Sequence, residues 1–214
     1  MAANNVLLIT RPDYDIVTKY FCVWSESLSE MARRKGMTVC DLQGKKANRK
    51  DFESYVRKNS PSMIFLNGHG STDVITGNDD EVIVDASSSL PSAIVYARSC
   101  DAGASVGLAL VHGGSRSFIG YERKFIFGYT PEYMTRPLYD PMAALFLEPS
   151  NLVVSTLLKG HATEVAHQRS REAMFRNFQK MICSTATFEE RYASRWLWGN
   201  FTHQVLCGDT EAKI

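Results

Sequence analysis

Two apolar runs, each ending in a glycine-bearing loop, constrain this chain more than any other feature. Met63-Ile64-Phe65-Leu66 runs into Asn67-Gly68-His69-Gly70, and Ala93-Ile94-Val95-Tyr96-Ala97 runs into Arg98-Ser99-Cys100-Asp101-Ala102-Gly103. Continuous apolar runs bounded by turn residues read as strands buried on both faces. In an open α/β sheet, ligands sit at the carboxyl ends of such strands. The pattern therefore brings a histidine and a cysteine to one sheet edge, and these two are what thiol catalysis needs at a minimum.

The rest of the chain fits a sheet of that kind. Val6-Leu7-Leu8-Ile9-Thr10 reads as a first buried strand. Pro12 and Asp13 open a helix carrying Val17, Tyr20, Phe21, Trp24, Leu28 and Met31 at helical spacing, and Gly36 ends it. A short strand follows at 37–41, then a solvated basic turn at 45–50 and a helix marked by Phe52, Tyr55 and Val56. Val74-Ile75-Thr76 and Val82-Ile83-Val84 flank Gly77-Asn78-Asp79-Asp80, a hairpin signal. A small-residue helix is expected over 104–111 and a fifth strand over 116–121. A long loop over 122–140 follows, rich in tyrosine and proline. Helices are expected over 141–158, 162–182 and 189–198, and a last strand over 201–206. Strands alternating with helices predict an α/β three-layer sandwich with a mostly parallel, flavodoxin-like wound central sheet and a small β-hairpin. The whole of 1–214 reads as a single domain.

Composition narrows the function classes. The chain is 44% hydrophobic and 22% charged with a formal net charge of +1, which supports a packed core and gives no basic stripe for nucleic acid. The five cysteines, Cys22, Cys40, Cys100, Cys183 and Cys207, are scattered and never form a CxxC pair. That pattern speaks for a reducing, cytoplasmic setting and against structural zinc; no metal or other cofactor is implied. Residues 1–5 lack the features of a signal peptide. The apolar stretch at 141–158 is interrupted by Glu148, Pro149 and Asn151, so no membrane span is expected. Gly113-Gly114-Ser115 lacks the lysine of a P-loop and reads as a helix-to-strand turn.

A histidine accepts the thiol proton as attack proceeds. Gly70 lets backbone approach a substrate carbonyl, and the amides of Gly70 and Cys100 are candidate oxyanion donors, with the helix near Ala104 adding positive dipole. Cys22, Cys40, Cys183 and Cys207 read as core residues. His112, His161, His167 and His203 have no comparable setting.

The two strand-end blocks resemble those of clan CD cysteine peptidases: caspases, metacaspases, gingipains, clostripain, legumain, separase and the CHAT proteases. These share an apolar strand ending in His-Gly and a second ending in a small residue plus cysteine, with a hairpin between. The segment Gln204-Val205-Leu206-Cys207-Gly208-Asp209 resembles the Leu-x-Gly-Asp ending of gingipain-like members. The resemblance implies a caspase-like fold and a cysteine endopeptidase in which His69 and Cys100 form the dyad. Its partners would be a protein or peptide substrate and a regulatory protein, and the loop 122–140 would border the cleft and be mobile without ligand. In caspases and metacaspases the position two before the cysteine lines the specificity pocket, and the end of the first strand contributes. That implies substrate-binding roles for Arg98, Arg11, Asp13 and Asp15. Arg98 and Arg11 left unpaired would select an acidic side chain. Neutralisation of Arg98 by Asp13 or Asp15 would leave a carboxylate to select lysine or arginine, and an ordinary structural salt bridge at Arg98 is the third alternative. From the residues alone two other functions stay open, a different thiol-dependent amidohydrolase and a non-catalytic binding module of caspase-like fold.

Overall fold

The computed structural model describes residues 5–214, so the reading of residues 1–4 lies outside it. Six strands form the central sheet: β1 (Val6–Arg11), β2 (Thr38–Gln43), β3 (Met63–Asn67), β6 (Ile94–Arg98), β7 (Ser117–Tyr121) and β8 (Gln204–Gly208). Their order is β2-β1-β3-β6-β7-β8. All neighbours pair in parallel except β7 and β8, which run antiparallel. A separate antiparallel hairpin joins β4 (Val74–Thr76) and β5 (Val82–Asp85).

Strand side chains alternate between the two faces, so each face has its own core. Leu7, Ile9, Phe65, Tyr96 and Ile119 pack under α1 (Ile16–Arg34), α4 (Pro141–Leu158), α5 (Thr163–Met181) and α6 (Phe188–His203). Leu8, Ile64, Leu66, Val95 and Phe118 pack under α2 (Arg49–Asn59), α3 (Val106–His112) and the hairpin. This is the expected three-layer sandwich, with a mostly parallel sheet.

Three local expectations need correction. The first helix starts at Ile16, because Asp15 is its cap: the Asp15 carboxylate accepts from the Thr18 amide at 2.7 Å and the Thr18 hydroxyl oxygen accepts from the Asp15 amide at 3.1 Å. The helix after Cys100 starts at Val106 and has only 7 residues, so the turn 101–105 separates it from the thiol. Residues 201–203 are helical, since Phe201 lies one turn beyond Trp198 and packs on it with ring centroids 5.3 Å apart; the last strand is Gln204–Gly208. Pro149 does not break α4. Its missing N–H would leave the Leu145 carbonyl without a partner, and Asn177 Nδ2 from α5 donates there instead at 2.8 Å. By length and composition α4 would reach across a membrane, but Phe146, Leu147, Val153 and Val154 on it are buried in the core.

The sheet's centre is held by Arg98. Its guanidinium is fully buried at the last residue of β6. Nε and Nη2 donate to Asn67 Oδ1 at 3.0 and 2.7 Å, Nη1 to Asn151 Oδ1 at 3.0 Å, and Nη2 also to Ser25 Oγ at 2.6 Å and the Phe21 carbonyl at 3.3 Å. The rings of Phe21 and Phe65 cover it, 4.7 and 5.2 Å from Cζ to the centroids. Burial lowers its pKa to about 10, which leaves it charged at neutral pH. Four separate elements, β6, β3, α1 and α4, meet on this one cation. Arg98→Met would take the charged donor from Asn67 Oδ1, Asn151 Oδ1 and Ser25 Oγ. It should lower unfolding free energy by about 3–5 kcal/mol, read as a fall in the urea midpoint at constant slope. A loss under about 1 kcal/mol would contradict the clamp.

Candidate active site

The site forms where β3 and β6 end side by side. Asn67 and Arg98 are paired in register, and His69 and Cys100 each lie two residues beyond that pair. The topology therefore sets the two candidate residues on adjacent strand ends, as the parallel pairing requires. His69, Ser99 and Cys100 line one cavity of about 240 Å³ together with Val17, Phe21 and the segment 125–129.

Backbone contact fixes the histidine loop and explains its two glycines. A Cβ on Gly68 would meet the Thr76 carbonyl at 2.0 Å, and one on Gly70 would meet Ser99 Oγ at 2.0 Å. Only glycine allows the loop to pass between the hairpin and the cysteine segment. The His69 carbonyl accepts from the Thr76 amide at 3.0 Å and from Ser99 Oγ at 2.9 Å. The hairpin therefore braces the histidine from one side, and the residue preceding Cys100 braces it from the other.

The imidazole is oriented by Asp15. Its Nε2 lies 2.6 Å from Asp15 Oδ2, while Asp15 Oδ1 holds the start of α1. Burial opposes ionisation of Asp15, but bonds from His69 and Thr18 outweigh it, and the carboxyl pKa falls below its usual value. The Asp15 carboxylate accepts the Nε2 proton, which leaves Nδ1 as the basic ring nitrogen. Tyr14 stands edge-on to the imidazole, ring centroids 6.2 Å apart, and its hydroxyl donates to Asp80 Oδ1 at 2.5 Å.

Cys100 is half-buried, and its Sγ approaches the Phe125 carbonyl at 3.7 Å. Burial, reinforced by Asp101, pushes the thiol pKa up, so the resting group is a neutral thiol. The loop after it is tied to the exit of β7: the Asp101 amide donates to the Arg123 carbonyl at 3.2 Å and the Gly103 amide to the Tyr121 carbonyl at 2.9 Å. Among the described residues the amides of Gly70 and Cys100 have no hydrogen-bond acceptor.

The remaining predicted substrate-binding residues are placed elsewhere. Arg98 is buried beneath the site and satisfied by neutral partners, so neither pocket reading holds for it, nor does the simple salt bridge. Arg11 is 5% exposed and makes a bidentate pair with Asp41, both contacts 2.9 Å. Asp13 is exposed on the far side of the β1 loop, where its amide donates to Asn78 Oδ1 at 3.3 Å. Asp15 belongs to the histidine, a role its sequence position did not reveal. The segment 122–140 borders the cavity through residues 125–129, where Phe125 and Phe127 are buried and Asn200 brackets Ile126 through its amide and carbonyl at 3.1 and 2.7 Å. Cys22 and Cys40 are core residues, Cys207 is half-buried, and Cys183 is exposed rather than packed.

A larger cleft of about 510 Å³ lies between α2 and residues 87–91, with Arg49, Glu53 and Arg57 on its wall. It holds no thiol or imidazole, so size alone does not locate the chemistry. No cluster of three or more histidine, cysteine or acidic side chains suited to a metal ion occurs among the described residues.

The thiols should differ in reactivity. Bonding with Thr185 lowers the pKa of the exposed Cys183 thiol, whereas burial raises that of Cys100. Brief iodoacetamide treatment at neutral pH, followed by peptide mapping, should modify Cys183 first. Alkylation of Cys100 should climb only as the pH rises past the ordinary thiol range. A Cys100 rate already on its plateau at pH 7 would contradict this electrostatic picture.

No protein-family model and no curated protein matches the sequence. Among solved structures, the complex of Porphyromonas gingivalis RgpB pro- and mature domains matches with a TM-score of 0.57 at 10% identity, over 98% of this chain and 48% of that chain. The chain thus spans about half the length of the solved chain it matches. At that identity the likeness concerns the fold alone, and it is consistent with a caspase-like α/β architecture.

Proposed function

We propose that the protein is a cysteine endopeptidase whose Cys100 attacks a peptide carbonyl with His69 as the proton carrier. The observation that carries this reading is the arrangement at the sheet edge. A thiol and an imidazole just beyond adjacent parallel strand ends line one cavity, and a carboxylate orients the imidazole through Nε2. Nucleophile, base and orienting group are the three roles of a catalytic triad. The fold it shares with RgpB, a gingipain, supports the same reading.

The steps follow from the groups present. The Cys100 thiol gives its proton to His69 Nδ1 as the sulfur–carbon bond forms. The carbonyl oxygen takes the negative charge and is held by the free amides of Gly70 and Cys100. Asp15 stabilises the imidazolium that results. Collapse of the adduct breaks the carbon–nitrogen bond, the amine leaves with the proton from His69, and a thioester remains. Water, deprotonated by His69, hydrolyses it and frees the thiol. The resting thiol is neutral, so proton transfer accompanies attack rather than preceding it.

Purified protein should cleave a peptide library, and Cys100→Ala or His69→Ala should abolish cleavage with unchanged thermal unfolding. Asp15→Asn should lower kcat by about 100- to 10,000-fold with little change in KM, since it removes the orienting charge and leaves the groove intact. Wild-type turnover by Cys100→Ala would overturn the reading. If the wild type binds peptide but never cleaves it, the protein is a binding module.

A further inference from the structure

The cavity beside the thiol differs in chemistry from the charged pocket that the sequence suggested. Apart from His69, Ser99 and Cys100, its walls are Val17, Phe21, Phe125, Ile126, Phe127 and Tyr129, with Gly68 at the end of β3. Phe21 packs on Phe125 and Phe127 with ring centroids 5.8 and 5.6 Å apart, and Tyr20 extends the wall to Tyr129 at 5.6 Å. These aromatics come from α1 and from the segment after β7, both of which carry contacts that fix their position.

Neither buried arginine near the site is free to enter the cavity. The Arg98 guanidinium lies under the sheet edge on its neutral acceptors, and Arg11 is engaged by Asp41. The one carboxylate behind the aromatic wall is Asp140, which is fully buried. It accepts from Tyr20 Oη at 2.7 Å and the Thr130 amide at 2.8 Å on one oxygen, and from the Met142 and Ala143 amides at 3.0 and 3.2 Å on the other. That leaves it no free oxygen for a substrate cation. Asp101 and Lys124 act on the thiol but do not line the cavity. A lysine, arginine, aspartate or glutamate side chain entering here would be desolvated without a partner, which costs several kcal/mol.

Building on the endopeptidase reading, we infer that this cavity is the primary specificity pocket and that it selects a large apolar side chain, phenylalanine, leucine or methionine, on the residue that supplies the scissile carbonyl. Its volume of about 240 Å³ suits a single side chain rather than a larger ligand. Its position against Cys100 places that side chain beside the carbonyl under attack. Phe127 and Tyr129 also line a second cavity with Met142 and residues of the 188–196 face, so the two rings stand between the two spaces.

The test uses two readouts on the full chain. One is cleavage of a peptide library that varies the residue before the scissile bond. The other is covalent labelling by peptidyl acyloxymethyl ketones bearing phenylalanine, leucine, alanine, aspartate, lysine or arginine at that position, with the adduct mapped by mass spectrometry. The expected result is kcat/KM at least about 100-fold higher for phenylalanine or leucine than for any charged residue, with the adduct on Cys100. Val17→Phe, which fills the pocket from α1, should shift the preference from phenylalanine toward alanine by about tenfold. Cleavage or Cys100 labelling that favours aspartate, arginine or lysine would overturn the pocket assignment while leaving the endopeptidase reading intact. Absence of cleavage and of Cys100 labelling with every probe would overturn the endopeptidase reading, and the assignment with it.

Discussion

A buried cation without a carboxylate is an expensive thing to place at the centre of a sheet, and this molecule is organised around one. The Arg98 guanidinium has amide, hydroxyl and carbonyl acceptors on three other elements and two aromatic faces above and below it. Hydrogen bonds from a charged donor are roughly twice as strong as neutral ones, and two aromatic faces add to them. The acceptors are themselves anchored. Asn67 Nδ2 donates to the Thr10 carbonyl at 2.7 Å, and Asn151 Nδ2 to the Trp24 carbonyl at 2.7 Å. The ends of β1, β3 and β6, the middle of α1 and the second half of α4 are therefore fixed relative to one another just below the residues that carry the chemistry. Replacing this network with apolar packing would remove the directional bonds that set the strand-end register of His69 and Cys100.

Above that floor, each feature of the site also serves the fold. Asp15 caps α1 with one oxygen and orients His69 with the other. Ser99 fixes the histidine backbone and precedes the thiol. Asp140 caps α4, and the same carboxylate ties Tyr20 to the segment that walls the cavity. Such sharing puts the reacting groups on rigid elements, which is what precise positioning requires. The cavity is apolar because its walls are aromatic and aliphatic, while Arg98, Arg11 and Asp140 around it are engaged in holding the scaffold.

The sequence made the local parts of this arrangement legible. Apolar runs bounded by Gly68 and Gly70, and by Ser99 and Gly103, mark the strand ends, and the hairpin shows in its own turn residues. What the sequence could not show depends on contacts between distant segments. Asp15 meets His69 across 54 residues, so nothing in its neighbourhood distinguishes a helix cap from a catalytic partner or a specificity residue. Arg98 invited a pocket role because strand alternation predicts which way a side chain points but not whether that space is solvent or core. Phe201 read as the start of the last strand, yet its packing on Trp198 and on Phe175 at 5.5 Å belongs to a helix face.

The central claim is that Cys100 forms a thioester with the substrate. Rapid acid quenching during turnover of a peptide ester, followed by intact-mass measurement and peptide mapping, tests it most directly. The account predicts a transient acyl adduct on Cys100 that is absent from Cys100→Ala. An adduct found instead on the exposed Cys183, or turnover with no acyl-enzyme and no effect of losing Cys100, would contradict it.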